Sequence, residues 1–194
     1  MIFDNLSIGL FGGSFNPAHN GHMHVAKSGL KILSLDHIWW MVSPQNPLKP
    51  KQPSYESRVE TVKQLGLSPR MSISHFEQQS GSRYTIDTLR LMTQKWRQTR
   101  FVFLMGADNF LQLPLWRQWH DIMALVPIAV IARSGSDHSA LRSRLGKAAQ
   151  IYGQYRVPEH QAHSLKYQNP PAWTYLTLPM NPLSSSAIRA GSHQ

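Results

Sequence analysis

The stretch Gly12-Gly13-Ser14-Phe15-Asn16-Pro17-Ala18-His19-Asn20-Gly21-His22 decides how the chain is read. It follows the short apolar run Leu6–Phe11 and leads into a segment with helical spacing. The order is therefore strand, glycine turn, helix. A helix N-terminus offers free backbone N–H groups and a partial positive charge, both suited to a phosphate. Two histidines where that helix begins, at i and i+3, add donors that can meet one set of phosphate oxygens. That combination points to phosphoryl chemistry rather than passive binding.

Working outward, apolar runs recur with helical patterns between them. His37–Val42 is a second strand, Met71–Ser74 a short third, and 101–105, 127–132 and 173–178 are further strands. His22–Leu35 places Val25, Ala26, Gly29, Leu30 and Leu33 on one helix face; Tyr55–Leu65 and Thr85–Trp96 behave similarly, with Thr85 the expected N-cap of the latter. Alternating strands and helices predict an α/β fold, a Rossmann-like, doubly wound parallel sheet in a single domain over 1–194. Right-handed crossovers then place all strand C-termini on one edge, where ligands bind. The polar segment 134–171 is expected to be loop apart from one helix over 141–151.

Composition narrows the function classes. The 194 residues include no cysteine, which excludes disulfides, thiolate catalysis and thiolate metal sites. No apolar run has the roughly 18 residues of a membrane span. The first residues lack the charged start and apolar core of a signal peptide, so a cytoplasmic location is expected. A net charge of +10 favours anionic partners, and its scatter along the chain argues against a nucleic-acid-binding tail.

The glycine turn is neither of the two common nucleotide loops. A Walker loop needs G-x-x-x-x-G-K-[ST], which is absent. A dinucleotide fingerprint needs G-x-G-x-x-G and an acidic residue after the second strand, where this chain has Ser43-Pro44-Gln45-Asn46. What remains is a turn whose backbone approaches a ligand closely: Gly12 and Gly13 carry no Cβ, Ser14 and Phe15 offer amides, and Pro17 stiffens the approach to the helix.

With its histidine pair, G-G-S-F-N-P-A-H-N-G-H resembles the signature of nicotinate mononucleotide adenylyltransferases, in the H-x-G-H nucleotidylyltransferase superfamily. A second segment, Leu183-Ser184-Ser185-Ser186-Ala187-Ile188-Arg189, is similar to the family's I-S-S-T-x-I-R motif. Looser matches lie between: Gly106-Ala107-Asp108, Tyr84-Thr85, Leu115-Trp116, Pro47-Leu48-Lys49 and Arg133-Ser134-Gly135. Family members continue past the serine–arginine motif with another helix. This chain ends at Gln194, five residues after Arg189, so the packing around Arg189 is expected to differ.

The resemblance implies adenylyl transfer from ATP to nicotinate mononucleotide, giving deamido-NAD and pyrophosphate. It assigns His22, His19 and Arg189 to catalysis. It places ATP against Gly12, Gly13, Ser14, Phe15, His19, His22, Gly106, Asp108 and Arg133, and against Ser184, Ser185, Ser186, Ile188 and Arg189. The mononucleotide falls to Ser14, Phe15, Lys49, Tyr84, Thr85 and Trp116, with the indole stacking on the pyridine ring. Mg²⁺ is implied as a partner of ATP, with no protein metal site.

Other readings stay open. His19 and His22 would suit a helix surface or a metal pair, although no third ligand is spaced to match. Asp108 would serve as a helix cap, and Lys49 and Arg133 as solvated charges. Nicotinamide mononucleotide is the alternative acceptor. A basic nucleic-acid-binding module is the alternative outside enzymes, with strongly salt-dependent binding and no pyrophosphate release. Oligomeric state is left open.

Overall fold

A computed structural model describes residues 3–44, 52–132 and 146–178. Its centre is a seven-stranded sheet in the order β3-β2-β1-β4-β5-β7-β6. The strands are β1 (Ser7–Gly13), β2 (His37–Val42), β3 (Met71–Ser74), β4 (Arg100–Gly106), β5 (Ile128–Ile131), β6 (Arg156–Val157) and β7 (Trp173–Leu176). Every pairing is parallel. Parallel strands covered on both faces must be apolar throughout, which is why these runs are continuous.

Side-chain alternation sorts each strand into two cores. Ile8, Leu10, Trp39, Met41, Phe103, Met105 and Val130 face one side. Phe11, Ile38, Trp40, Val42, Val102, Leu104 and Ile131 face the other. Adjacent Trp39 and Trp40 are therefore both core residues, on opposite faces.

Helices α1 (Asn20–Ile32) and α2 (Tyr55–Lys63) cover the second face, together with a 3-10 helix at Glu159–Tyr167. The first face is covered by α4 (Thr85–Lys95), α5 (Ala107–Gln112), α6 (Trp119–Leu125) and α7 (Gly146–Ile151). A five-residue helix, α3 (Phe76–Ser80), precedes α4. Gly29 lets α1 lie against the sheet: a Cβ there would sit 2.6 Å from Leu104 Cδ2.

Four expectations are corrected. Gly12 and Gly13 are not the turn but the end of β1, paired with Met41 and Val42. Thr85 is the first residue of α4 rather than its cap, because Tyr84 occupies the cap position in an extended conformation. Helix α1 ends at Ile32, and Leu35 is buried in the loop beyond it. The stretch expected as loop carries β6 and the nine-residue 3-10 helix. Ala162 and Leu165 anchor that helix, two apolar residues too few to stand out among polar neighbours.

Candidate active site

The strand order changes direction at β1, whose neighbours β2 and β4 lead to opposite halves of the sheet. β1 and β4 pair only as far as Phe11 and Leu104. Beyond that point Gly12 and Gly13 stay with β2, while Met105 and Gly106 stay with β5. The two central strands thus part at their C-terminal ends, and the crevice where open α/β sheets take ligands lies between them.

Helix α1 starts beside this crevice. His19 is its N-cap, and His22 is three residues on. Each ring caps the helix through Nδ1: the Gly21 N–H donates to His19 at 3.1 Å, and the His19 N–H donates to His22 at 3.3 Å. A nitrogen that accepts carries no proton, so each neutral imidazole bears its hydrogen on Nε2. The caps therefore set one tautomer and leave Nε2–H as each ring's donor. The rings are buried with centroids 3.9 Å apart. No acidic residue occupies the first turn of α1, so its positive end is uncompensated from within.

The residues between β1 and α1 are held from below. Phe15 has φ +47°, a left-handed conformation uncommon for a bulky residue. Its side chain is buried among Phe11, Trp40 and His22. Phe15 thus turns the chain away from β1 while its ring packs against His22. Beneath it, Arg58 of α2 is fully buried and, among the described residues, donates only to carbonyl oxygens: Ser14 at 2.8 Å, Ser43 at 2.7 Å, Pro44 at 2.6 Å and Pro53 at 3.1 Å. One rigid cation joins the end of β1 to the end of β2. Burial holds its guanidinium below the usual arginine value. Thr61, also on α2, accepts from the Ala18 N–H at 3.0 Å.

A cavity of about 160 Å³ opens from the crevice toward α4. Its walls bring together six of the expected residues: Gly12, Gly13, Ser14, Tyr84, Thr85 and Trp116. Trp116 is half-buried and packs against the core. The Arg117 guanidinium stacks 4.8 Å over the Tyr84 ring. Gly106 caps α5 at the end of β4, and Asp108 sits exposed in that helix's first turn, outside the cavity walls. Lys49, Arg133, Ser184, Ser185, Ser186, Ile188 and Arg189 lie outside the described residues.

Arg58, Glu77, Arg83 and Arg117 were missed by the sequence reading. Arg58 left a trace, since it shares the i, i+3, i+4, i+7 face of Tyr55, Val59 and Val62, where a charge is out of place. Glu77 left none, because α3 is too short for periodicity.

A family profile described as cytidylyltransferase-like matches residues 10–191. A protein of Ruegeria sp. (strain TM1040) named probable nicotinate-nucleotide adenylyltransferase is 43% identical over 185 residues, covering 95% of this chain and 96% of its own length. One of the same name from Cereibacter sphaeroides (strain ATCC 17025 / ATH 2.4.3) is 45% identical over 184 residues, covering 94% and 96%. The chain belongs to the nicotinate-nucleotide adenylyltransferase family. Among solved structures, the Plasmodium falciparum nicotinic acid mononucleotide adenylyltransferase shares this fold. Its complex with NaAD gives a TM-score of 0.69 at 17% identity, covering 95% of this chain and 83% of that one. Its complex with APC gives 0.68. In this member of the adenylyltransferase family, the described residues bring Gly12, Gly13, Ser14, Tyr84, Thr85 and Trp116 around one cavity.

Among the described residues no three His, Asp or Glu side chains converge as metal ligands. The paired imidazoles are nitrogen donors, whereas Mg²⁺ prefers oxygen. They suit phosphate oxygens. No helix among the described residues is long and apolar enough to cross a membrane.

Proposed function

We propose that the chain transfers the adenylyl group of ATP to nicotinate mononucleotide, forming deamido-NAD and pyrophosphate. The observation that carries this reading is the reciprocal histidine cap at the start of α1. It sets two imidazole rings with centroids 3.9 Å apart at the start of the helix that follows β1.

The reaction needs no protein nucleophile, because the 5′-phosphate of the mononucleotide is already an anion. It attacks the α-phosphorus of ATP in line, and pyrophosphate leaves. Catalysis is then positioning plus stabilisation of the charge that develops on the transferring phosphoryl group. His22 donates to the α-phosphate and His19 to the phosphates beside it. Backbone amides at 12–15 and the N-terminus of α1 supply further partial positive charge. Arg189 and the serines before it are assigned to the β- and γ-phosphates on their motif. Mg²⁺, entering with ATP, would neutralise the leaving pyrophosphate.

The acceptor's ring is assigned to the cavity between Gly12 and Trp116. Trp116 offers an aromatic wall, and Thr85, as first residue of α4, lines the cavity with a backbone N–H that has no intrahelical acceptor and suits an anionic substituent. Pyrophosphate release with ATP and each mononucleotide, with and without Mg²⁺, tests the proposal. Release with nicotinate mononucleotide is expected, and no release with either acceptor overturns it.

A further inference from the structure

The cavity assigned to the acceptor ring contains a carboxyl group that the chemistry above does not use. Glu77, on α3, lines it and is the only acidic side chain among the described residues that does. It is 9% exposed. Thr88 Oγ1 donates to Oε1 at 3.2 Å, and no other hydrogen bond or ion pair reaches the carboxyl among the described residues. A carboxyl buried to this degree, holding one protein hydrogen bond and lining a ligand cavity, keeps an oxygen that a bound ligand can engage.

A cavity of about 160 Å³ is small. A void of roughly 150 Å³ takes a single benzene ring. A pyridine ring bearing a carboxylate would therefore lie close to Glu77, which is itself buried while the cavity mouth, at Arg83, Tyr84 and Arg117, is exposed. Two ionised carboxylates so placed repel strongly, and the pair is stabilised by binding one proton. An amide on the ring makes the opposite demand, since its N–H donates well to an ionised carboxylate.

We propose that Glu77 is a proton-binding specificity residue for the acceptor, protonated when the acidic ring is bound and ionised beside the amide ring. This rests on the functional reading above. The step balances simply: bound carboxylate, Glu77 carboxylate and one proton from solvent give a hydrogen-bonded carboxyl–carboxylate pair. No covalent bond changes.

The surroundings leave Glu77 poised for this. Burial raises its pKa to about 7, opposed by the Thr88 hydrogen bond. Charged and titratable groups around it come from several elements. Tyr55 and Arg58 stand on α2, and the Tyr55 hydroxyl is tied to His75 Nδ1 at 2.7 Å, just before α3. Arg83 and Tyr84 precede α4, and Arg117 precedes α6; all three line the cavity and are exposed. The contributions from β1, β2 and β4 (Gly12, Gly13, Met41, Phe103, Met105) carry no charge.

Calorimetric titration of the intact protein with each mononucleotide, in two buffers of different ionisation enthalpy at pH 8, tests the idea. The acid is expected to bind with uptake of most of one proton and the amide with distinctly less. Between pH 7 and 8.5 the affinity ratio of acid to amide should fall about tenfold per pH unit, the shared 5′-phosphate cancelling in the ratio. In Glu77→Gln the difference in proton uptake and the slope of the ratio should both vanish. A merely structural glutamate would leave the ratio independent of pH in the parent protein. Acid binding with the same proton uptake as the amide overturns the proposal and leaves the adenylyl-transfer reading standing. Failure of both mononucleotides to bind, together with no pyrophosphate release, overturns both.

Discussion

Nη1 of Arg58 lies 2.8 Å from the carbonyl oxygen of Ser14, and the same nitrogen lies 2.7 Å from that of Ser43. A single buried nitrogen thus bridges the ends of β1 and β2. Replacing Arg58 with Met would remove the one donor shared by these carbonyls, of which that of Ser14 is bonded in a buried setting, and losing such a donor costs about 1–3 kcal/mol. A loss of about 2–4 kcal/mol in urea unfolding is expected. Arg58→Lys keeps the charge but loses the fork, so it should recover only part of the stability. Because Ser14 starts the segment that leads to His19, both variants should also lower kcat/KM.

The histidines cap α1, and in the proposed reaction they would serve the chemistry as well. His22→Ala should lower kcat by about 10²–10³-fold, the usual effect of removing one donor to a developing oxyanion. It should destabilise the fold by about 1 kcal/mol for the lost cap, and further for the buried ring's lost packing against Phe15. His19 and His22 cap each other's stretch of backbone. The stability losses of the two alanine variants should therefore not add in the double variant. Near-normal turnover in His22→Ala would remove it from its role.

Gly29 tests how closely α1 must lie on the sheet. A methyl group there meets Leu104 Cδ2 at 2.6 Å, so Leu104 or the helix must shift. Gly29→Ala should cost about 1–3 kcal/mol despite the better helix propensity of alanine. Since α1 carries His19 at its start, activity should fall as well. Thermal melts and initial rates measure the two effects.

Glu77 also predicts a pH dependence of folding. Its native pKa of about 7 stands above the ordinary 4.5, so the folded state holds the proton more tightly. Its contribution to stability is complete below about pH 4.5, declines as pH rises, and is lost above about 7. The whole span is worth about 3 kcal/mol. Glu77→Gln, which cannot ionise, should gain stability relative to the parent as pH rises from 4.5 to 7, then hold that gain. Unfolding by urea across this range measures it.

Much of the fold is legible in the sequence because parallel strands buried on both faces are written as unbroken apolar runs. His37–Val42 and Met71–Ser74 have the bounds expected of them. The histidine motif is equally legible, since a glycine pair, a strand and a helix start lie within a few residues of one another. What fails to show is whatever depends on burial of polar groups. Arg58 looks like an ordinary helix-surface charge unless its position on the apolar stripe is noticed. Glu77 gains its character from cavity walls contributed by β1, β2, α4 and the segment before α6, none of which is local in sequence. Trp116 and Trp119 look alike in sequence, and only packing makes Trp119 core and leaves Trp116 half-exposed at the cavity.

The parting of β1 from β4 after Phe11 and Leu104 has a mechanical consequence. The last backbone groups of the two strands, at Gly12, Gly13, Met105 and Gly106, are each fastened on one side only, to β2 and to β5. In the proposed reaction a nucleotide bridging that gap would join the two halves of the sheet like a rivet. Deuterium uptake at these four amides should slow when both substrates are bound and quicken once the product leaves. Turnover would then be accompanied by a rhythmic stiffening and loosening of the middle of the sheet.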